Sequence, residues 1–147
     1  MPNSLRREIK RMINSDLYEF AHNNAIVVLP FSSNEFESLS MQDNEYNCYI
    51  GMDYKRFETS KEERVHLAHE LGHCATGAFY NARSPLYVRG KAEYQADKWA
   101  IKKIIPKDDF MRLLKCGMPA YELAEQFNVT EDYIHKAFRL YIEMEII

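Results

Sequence analysis

A glutamate between two histidines four residues apart, His69-Glu70-Leu71-Gly72-His73, constrains this chain more than any other feature. The surrounding residues read as helix, and on a helix positions i and i+4 lie about 40° apart in azimuth and about 6 Å apart along the axis. Both imidazoles therefore reach one small cation from the same face. Glu70 projects about 100° further round, over the open side of such an ion, where a water molecule would lie. The rest of the helix must be buried. Val65, Ala68, Leu71 and Gly72 lie on or beside an apolar face, Ser60 and Glu63 form a capping-box pattern at the start, and Gly77 offers a stop. Gly72 costs about 1 kcal/mol inside a helix, which predicts that another element packs closely against it. The layout suits a metal-activated hydrolase, although the pentapeptide alone also occurs in helices that bind nothing.

A structural zinc site closes with four protein ligands, whereas a catalytic one has three and a water. The third ligand is predicted at Glu93, in a second helical stretch expected over Lys91 to Ile105. Glu93 and Asp97 stand four apart and share a face, so Glu93 can ligate while Asp97 accepts a hydrogen bond from the far nitrogen of a ligand histidine. The plainer alternative is a pair of solvated acids balanced by Lys91, Lys98 and Lys102. His66 shares the face of His69 and borders the site without joining the ligand set. Cys74 adjoins His73 but points about 100° away, which makes it a core or supporting thiol rather than a ligand.

H-E-L-G-H at 69–73, followed by E-Y-Q-A-D at 93–97 and a helix ending at Ile105-Pro106, resembles the ImmA/IrrE family of metallo-endopeptidases, zincins whose third ligand is a glutamate. The resemblance extends over nearly the whole length, with an amino-terminal helix, a short strand, an edge strand just before the metal helix and a small helical tail. It implies an α+β fold with a mostly helical zincin-like core, a small antiparallel sheet and a helix-turn-helix-like carboxy-terminal tail. It also implies an intracellular protease whose substrate is a specific protein, commonly a helix-turn-helix repressor of a prophage or other mobile element. On this reading one zinc ion, or another divalent ion such as manganese, is held by His69, His73 and Glu93. Glu70 is the catalytic base and Asp97 orients a ligand histidine.

Composition is compatible with that picture. The 46% hydrophobic and 28% charged fractions are ordinary for a globular protein, no apolar run approaches a membrane span, and Met1-Pro2-Asn3-Ser4 lacks the apolar core of a secretory signal. The expected location is the cytoplasm, with no membrane partner. Cys48, Cys74 and Cys116 are an odd, widely spaced set, which argues against a disulfide framework and against a thiolate metal site. A formal net charge of −3 offers no general attraction to nucleic acid. Near the amino terminus, Arg6, Arg7, Lys10 and Arg11 form a basic face opposite Leu5, Ile9, Met12, Ile13, Leu17 and Phe20, which predicts an amphipathic helix packed on the core.

Asn23 and Asn24 end that helix, and Ala25 to Leu29 read as a short buried strand stopped by Pro30. Phe31 to Asn47, polar and acidic, read as a long loop or lid; Cys48 to Met52 read as a strand whose free edge can pair with an extended peptide. Between the metal helices, Tyr80, Arg83 and Tyr87 are candidates by position for stabilising an oxyanion, with packing the plainer role for the aromatics. Beyond Pro106, helices are expected at Lys107 to Lys115, Pro119 to Phe127 and Glu131 to Glu145, the last capped by Thr130. Tyr121 to Thr130 resemble the first helix and turn of a helix-turn-helix unit. A DNA reader would carry basic or amide side chains at the next helix start, where this chain has Glu131 and Asp132. Direct DNA binding is therefore not expected, and residues 1–106 read as the metallopeptidase domain with 107–147 as a small tail packed on or beside it. Two alternatives stay open: a non-catalytic protein that binds a repressor, and a DNA-binding regulator.

Overall fold

The computed structural model describes residues 2–144. The chain begins with helices α1 (Asn3–Ile13) and α2 (Ser15–Asn23), followed by strands β1 (Val27–Pro30), β2 (Ser38–Gln42) and β3 (Cys48–Met52). After a 3-10 turn at Tyr54–Arg56 come the long helices α3 (Ser60–Thr76) and α4 (Leu86–Ile104), then α5 (Lys107–Lys115), α6 (Ala120–Phe127) and α7 (Glu131–Glu143). The fold is α+β and mostly helical. The three strands lie in the order β1-β3-β2.

That order corrects the strand expectations in four ways. The sheet is mixed rather than antiparallel, because β1 runs parallel to β3 while β2 runs antiparallel to it. Cys48–Met52 is the central strand, not an edge: Cys48, Ile50 and Met52 are buried, and both flanks are paired. The strand after α2 is itself an edge, with Val27 and Leu29 exposed. The other edge is β2, inside the segment expected to be a loop. Its polar residues Ser38 and Ser40 are partly buried while Leu39 and Met41 are exposed, so its alternation is the reverse of the usual amphipathic strand.

α3 is capped by Thr59, whose hydroxyl accepts from the Glu62 amide at 3.2 Å, and Glu62 in turn accepts from the Glu58 amide at 3.1 Å. The capping thus sits one residue earlier than Ser60 and Glu63 suggested. Ser60 instead donates to Asn128 Oδ1, and Glu63 is buried against Asn14. At the other end Gly77 takes φ 68°, the left-handed conformation that closes a helix without a Cβ clash. α4 begins at Leu86, more than a turn before the expected Lys91, with Pro85 at its cap.

α3 and α4 pack along their length, with the sheet against α3. Leu67, Ala68, Leu71, Ala96, Ala100 and Ile101 are fully buried between the elements. Gly72 is the point of closest approach: a Cβ built there would lie 2.4 Å from the backbone oxygen of Ala96. The expected close packing at Gly72 is thus contact with the backbone of the helix that carries Glu93.

The amino-terminal segment departs from the expected single packed helix. Asn14 divides it, fully buried, with its amide donating to the Ser60 carbonyl at 3.0 Å and to Glu63 Oε2 at 3.2 Å. A buried polar side chain must be hydrogen-bonded, and Asn14 leaves helical geometry between the two helices with φ −98° and ψ 22°. Leu17 enters the core, whereas Leu5, Ile9, Met12 and Ile13 stay exposed. The side chain of Arg11 lies outside the described residues.

The cysteines are also corrected. Cys48 and Cys74 form a disulfide with Cα atoms 6.0 Å apart, joining β3 to α3, while Cys116 is free and exposed. Their sequence separation of 26 conceals a pairing that only the packing of sheet on helix creates.

In the tail, Thr130 caps α7 as expected and Asn128 turns the chain with φ 53°. Glu145 lies outside the described residues. Phe110 packs against Phe127 and Tyr141, and the Tyr141 hydroxyl donates to the Ile105 carbonyl at 2.6 Å. These residues belong to the same buried cluster as Leu67 and Ile101. Among the described residues no helix is long and apolar enough to cross a membrane.

Replacing Gly72 with alanine should push α3 from α4, because the obstructing atom is backbone. The expected loss is about 1–3 kcal/mol of stability, measured by denaturant unfolding, accompanied by weaker metal uptake.

Candidate metal and active site

α3 presents His69 and His73 one turn apart, with ring centroids 4.8 Å apart and Nε2 atoms 3.2 Å apart. Glu93, on α4, reaches both: Oε2 lies 2.8 Å from His69 Nε2, and Oε1 lies 3.2 Å from His73 Nε2. Candidate ligand atoms of all three residues fall within 4.8 Å of one another. The Nδ1 atoms face outward. His69 Nδ1 donates to Asp97 Oδ1 at 2.9 Å, and His73 Nδ1 donates to the Ala78 carbonyl at 2.5 Å.

These outward bonds assign the tautomer. With protons committed at Nδ1, each neutral imidazole turns its Nε2 lone pair inward, toward the other ring and a carboxylate. Three electron-pair donors converge, and one cation satisfies them together. Two imidazoles and a carboxylate form a donor set suited to zinc, with three protein ligands leaving one position for chemistry. The residues present fit a catalytic divalent metal.

In the metal-free protein a proton takes the place of the cation. Burial by itself lowers the pKa of His69, but the hydrogen bonds with Asp97 and Glu93 outweigh it and push it up to about 10. His73 is also raised, since its bonds to Glu93 and the Ala78 carbonyl overcome its burial. The two histidines hold Glu93 far below the usual carboxylate range. Burial would raise Asp97, but His69 and Lys136 bring it below its ordinary value.

Glu70 is buried beside this centre and is held by β2. Ser38 Oγ donates to Glu70 Oε2 at 2.6 Å, and Ser40 Oγ donates to Oε1 at 2.9 Å. Both carboxylate oxygens are thus oriented by hydroxyls two residues apart on one strand. Ser38 Oγ also lies 3.2 Å from His66 Nδ1, and His66 Nε2 lies 2.8 Å from Glu37 Oε2. Burial lowers the pKa of His66 by more than Glu37 restores. His66 borders the site as expected from its face of α3; the serines carried no signal in sequence, lying in what reads as loop.

A cavity of about 590 Å³ opens over these groups, lined by Phe36, Leu39, Phe79, Tyr80 and Arg89 as well as the histidines, serines and carboxylates. Of the three oxyanion candidates, the structure brings one to the cavity. The Tyr80 hydroxyl donates to Glu93 Oε1 at 2.7 Å, and that bond pushes its pKa up to about 12, so the phenol stays protonated at neutral pH. Arg83 is exposed in the loop, and Tyr87 is 77% exposed in the first turn of α4; neither lines the cavity. Arg89 was not anticipated. Its Nε donates to the Ser84 carbonyl at 3.0 Å and its guanidinium lies 6.0 Å from the centre of the Tyr80 ring, bracing the loop between the two helices.

Compared with known protein families, the chain matches Peptidase M78, described as an IrrE N-terminal-like domain, over residues 25–139. The match takes in the sheet, both metal helices and most of the tail. No curated protein matches the chain.

Because its bonds with Asp97 and Glu93 raise His69 well above neutral pH in the free site, a divalent metal binding there would displace a proton. Calorimetric titration at pH 7.5 in buffers of different ionisation enthalpy should give release of about one proton or more per zinc. Affinity should fall as pH falls. The sign for folding is opposite: the metal-free protein gains stability from His69, raised above its usual 6.5, that is complete below that pH and lost as pH rises through about 10. Thermal melts of zinc-free protein across that range should decline accordingly.

Proposed function

Since this chain belongs to the IrrE N-terminal-like peptidase family, a metallopeptidase family, we propose that it is a zinc-dependent endopeptidase that cleaves one specific regulatory protein, a helix-turn-helix repressor of a prophage or other mobile element. The observation that carries the chemistry is the convergence of His69, His73 and Glu93, with the Glu70 carboxylate fixed beside them.

His69, His73 and Glu93 would hold the zinc. When bound, that ion would supply a Lewis acid that polarises a peptide carbonyl and lowers the pKa of water toward about 7. Glu70 takes the proton from the attacking water and delivers it to the leaving amine, the exchange expected of one positioned carboxylate. Ser38 and Ser40 keep both its oxygens aligned, so the base is oriented before substrate arrives. Asp97 fixes the His69 ring through Nδ1 and the Ala78 carbonyl fixes His73 in the same way. Tyr80, protonated and at the cavity wall, is the donor for the oxyanion; its hydroxyl exchanges Glu93 for the developing charge.

β2 supplies the substrate edge. It pairs with β3 on one side, and Ser38, Leu39 and Ser40 line the cavity. An extended peptide adding to its free edge would run past the metal ligands and Glu70, gripped through its backbone. Phe36, Leu39 and Phe79 offer apolar contact to its side chains. The protein acts in the cytoplasm, where such repressors are found.

Glu70→Gln should keep one metal per chain by elemental analysis but lose about 10²-fold or more in cleavage rate. Cells expressing wild type and Glu70→Gln should differ by new protein amino termini, one of them inside a helix-turn-helix repressor. Equal relief of repression by both proteins would replace cleavage with sequestration.

A further inference from the structure

α7 reaches back to the metal site. The Lys136 ammonium donates to Asp97 Oδ2 at 2.9 Å, while the other oxygen of the same carboxylate, Oδ1, accepts from His69 Nδ1 at 2.9 Å. We propose that Lys136 is a positioning residue for the metal centre: by fixing Asp97 it fixes His69, so the carboxy-terminal tail completes the site. This inference rests on the reading of His69 as a metal ligand.

An aspartate has two side-chain torsions to hold, and the His69 bond alone restrains one oxygen. Lys136 restrains the second. An exposed lysine pair is ordinarily worth little, but the Asp97 side chain is only 17% exposed, and a partner lost at a mostly buried carboxylate leaves that carboxylate free to turn. The lysine is itself held in place. Its neighbours on α7, Tyr133 and Ala137, are buried, and Tyr141 ties the same helix to the end of α4 through the Ile105 carbonyl. A rigid path therefore runs from the packed tail through Lys136 and Asp97 to His69. The ammonium also draws charge from the carboxylate, which opposes metal affinity. That effect acts through a half-exposed cation at high effective dielectric, whereas a misdirected ligand ring loses metal affinity directly.

The test is zinc titration of the full chain in competition with a chromogenic chelator, together with visible spectra of the cobalt-loaded proteins. Lys136→Met should weaken zinc about 3- to 10-fold and shift the cobalt bands, while Lys136→Arg stays within about twofold of wild type. In an Asp97→Asn background Lys136→Met should cost nothing further, because the path is already cut. Ile134→Val, which loosens the packing of α7 and leaves the ion pair intact, should lower the melting temperature without changing zinc affinity. Wild-type affinity in Lys136→Met, an undiminished loss in the Asp97→Asn background, or the same loss in Ile134→Val would each overturn the proposal. If wild type binds one zinc that Glu93→Ala loses, and Lys136→Met binds as wild type does, this inference alone fails. A wild type that takes up no zinc overturns the metal reading and this inference with it.

Discussion

The two helices that carry His69, His73 and Glu93 meet where Gly72 lies against the backbone of Ala96, and the geometry of the candidate site follows from that contact. A side chain at position 72 would hold the helix axes further apart, and Glu93, one turn before Ala96 on α4, would no longer reach the histidines of α3. Close approach also lets Ala92, Ala96 and Ala100 form a small-residue stripe along which α3 is seated. The cost of glycine inside a helix is about 1 kcal/mol, small beside what is gained in precision where three ligand atoms must converge.

That proximity concentrates charge. Glu70, Glu93 and Asp97 surround two imidazoles in a partly buried pocket, an arrangement that favours a cation among them. In the free protein the bonds with Asp97 and Glu93 favour a proton on His69, in the place a divalent metal would take. Each carboxylate has a separate partner: Glu93 faces the Nε2 atoms, Asp97 the outward Nδ1, and Glu70 the two serines of β2. This separation of contacts lets three carboxylates stand close together and do different things.

The elements around the helix pair divide the remaining work. β2 holds Glu70 through Ser38 and Ser40 and pairs with β3 along one side. The loop between α3 and α4 brings Tyr80 to the cavity and carries the Ala78 carbonyl that fixes His73. The tail, through α7, adds the cation that meets Asp97. Tail and metal helices share one buried cluster, so the reach of Lys136 is a consequence of packing rather than of an extended arm.

Helix periodicity, two histidines one turn apart, a following glutamate and a second acidic pair four apart are local properties, and local properties survive in a bare sequence. From them came α3, most of α4, the three tail helices and the meeting of His69, His73 and Glu93, because side-chain spacing within a helix is dictated by helix geometry. The strands were harder. β2 turns serines inward and leucine and methionine outward, so hydrophobic alternation pointed the wrong way, and its inward face makes sense only beside Glu70, thirty residues on. Asn14 breaks the first helix for a partner in α3, and Cys48 finds Cys74 only once sheet lies on helix. Tyr80 separated from Arg83 and Tyr87, and Lys136 arrived at Asp97, for the same reason. Helix α3 and the placing of His69, Glu70 and His73 on it are legible in the residue order alone; which distant side chains meet them, Ser38, Ser40, Tyr80, Asp97 and Lys136 among these, depends on how elements pack, and such contacts leave no periodic trace along the chain.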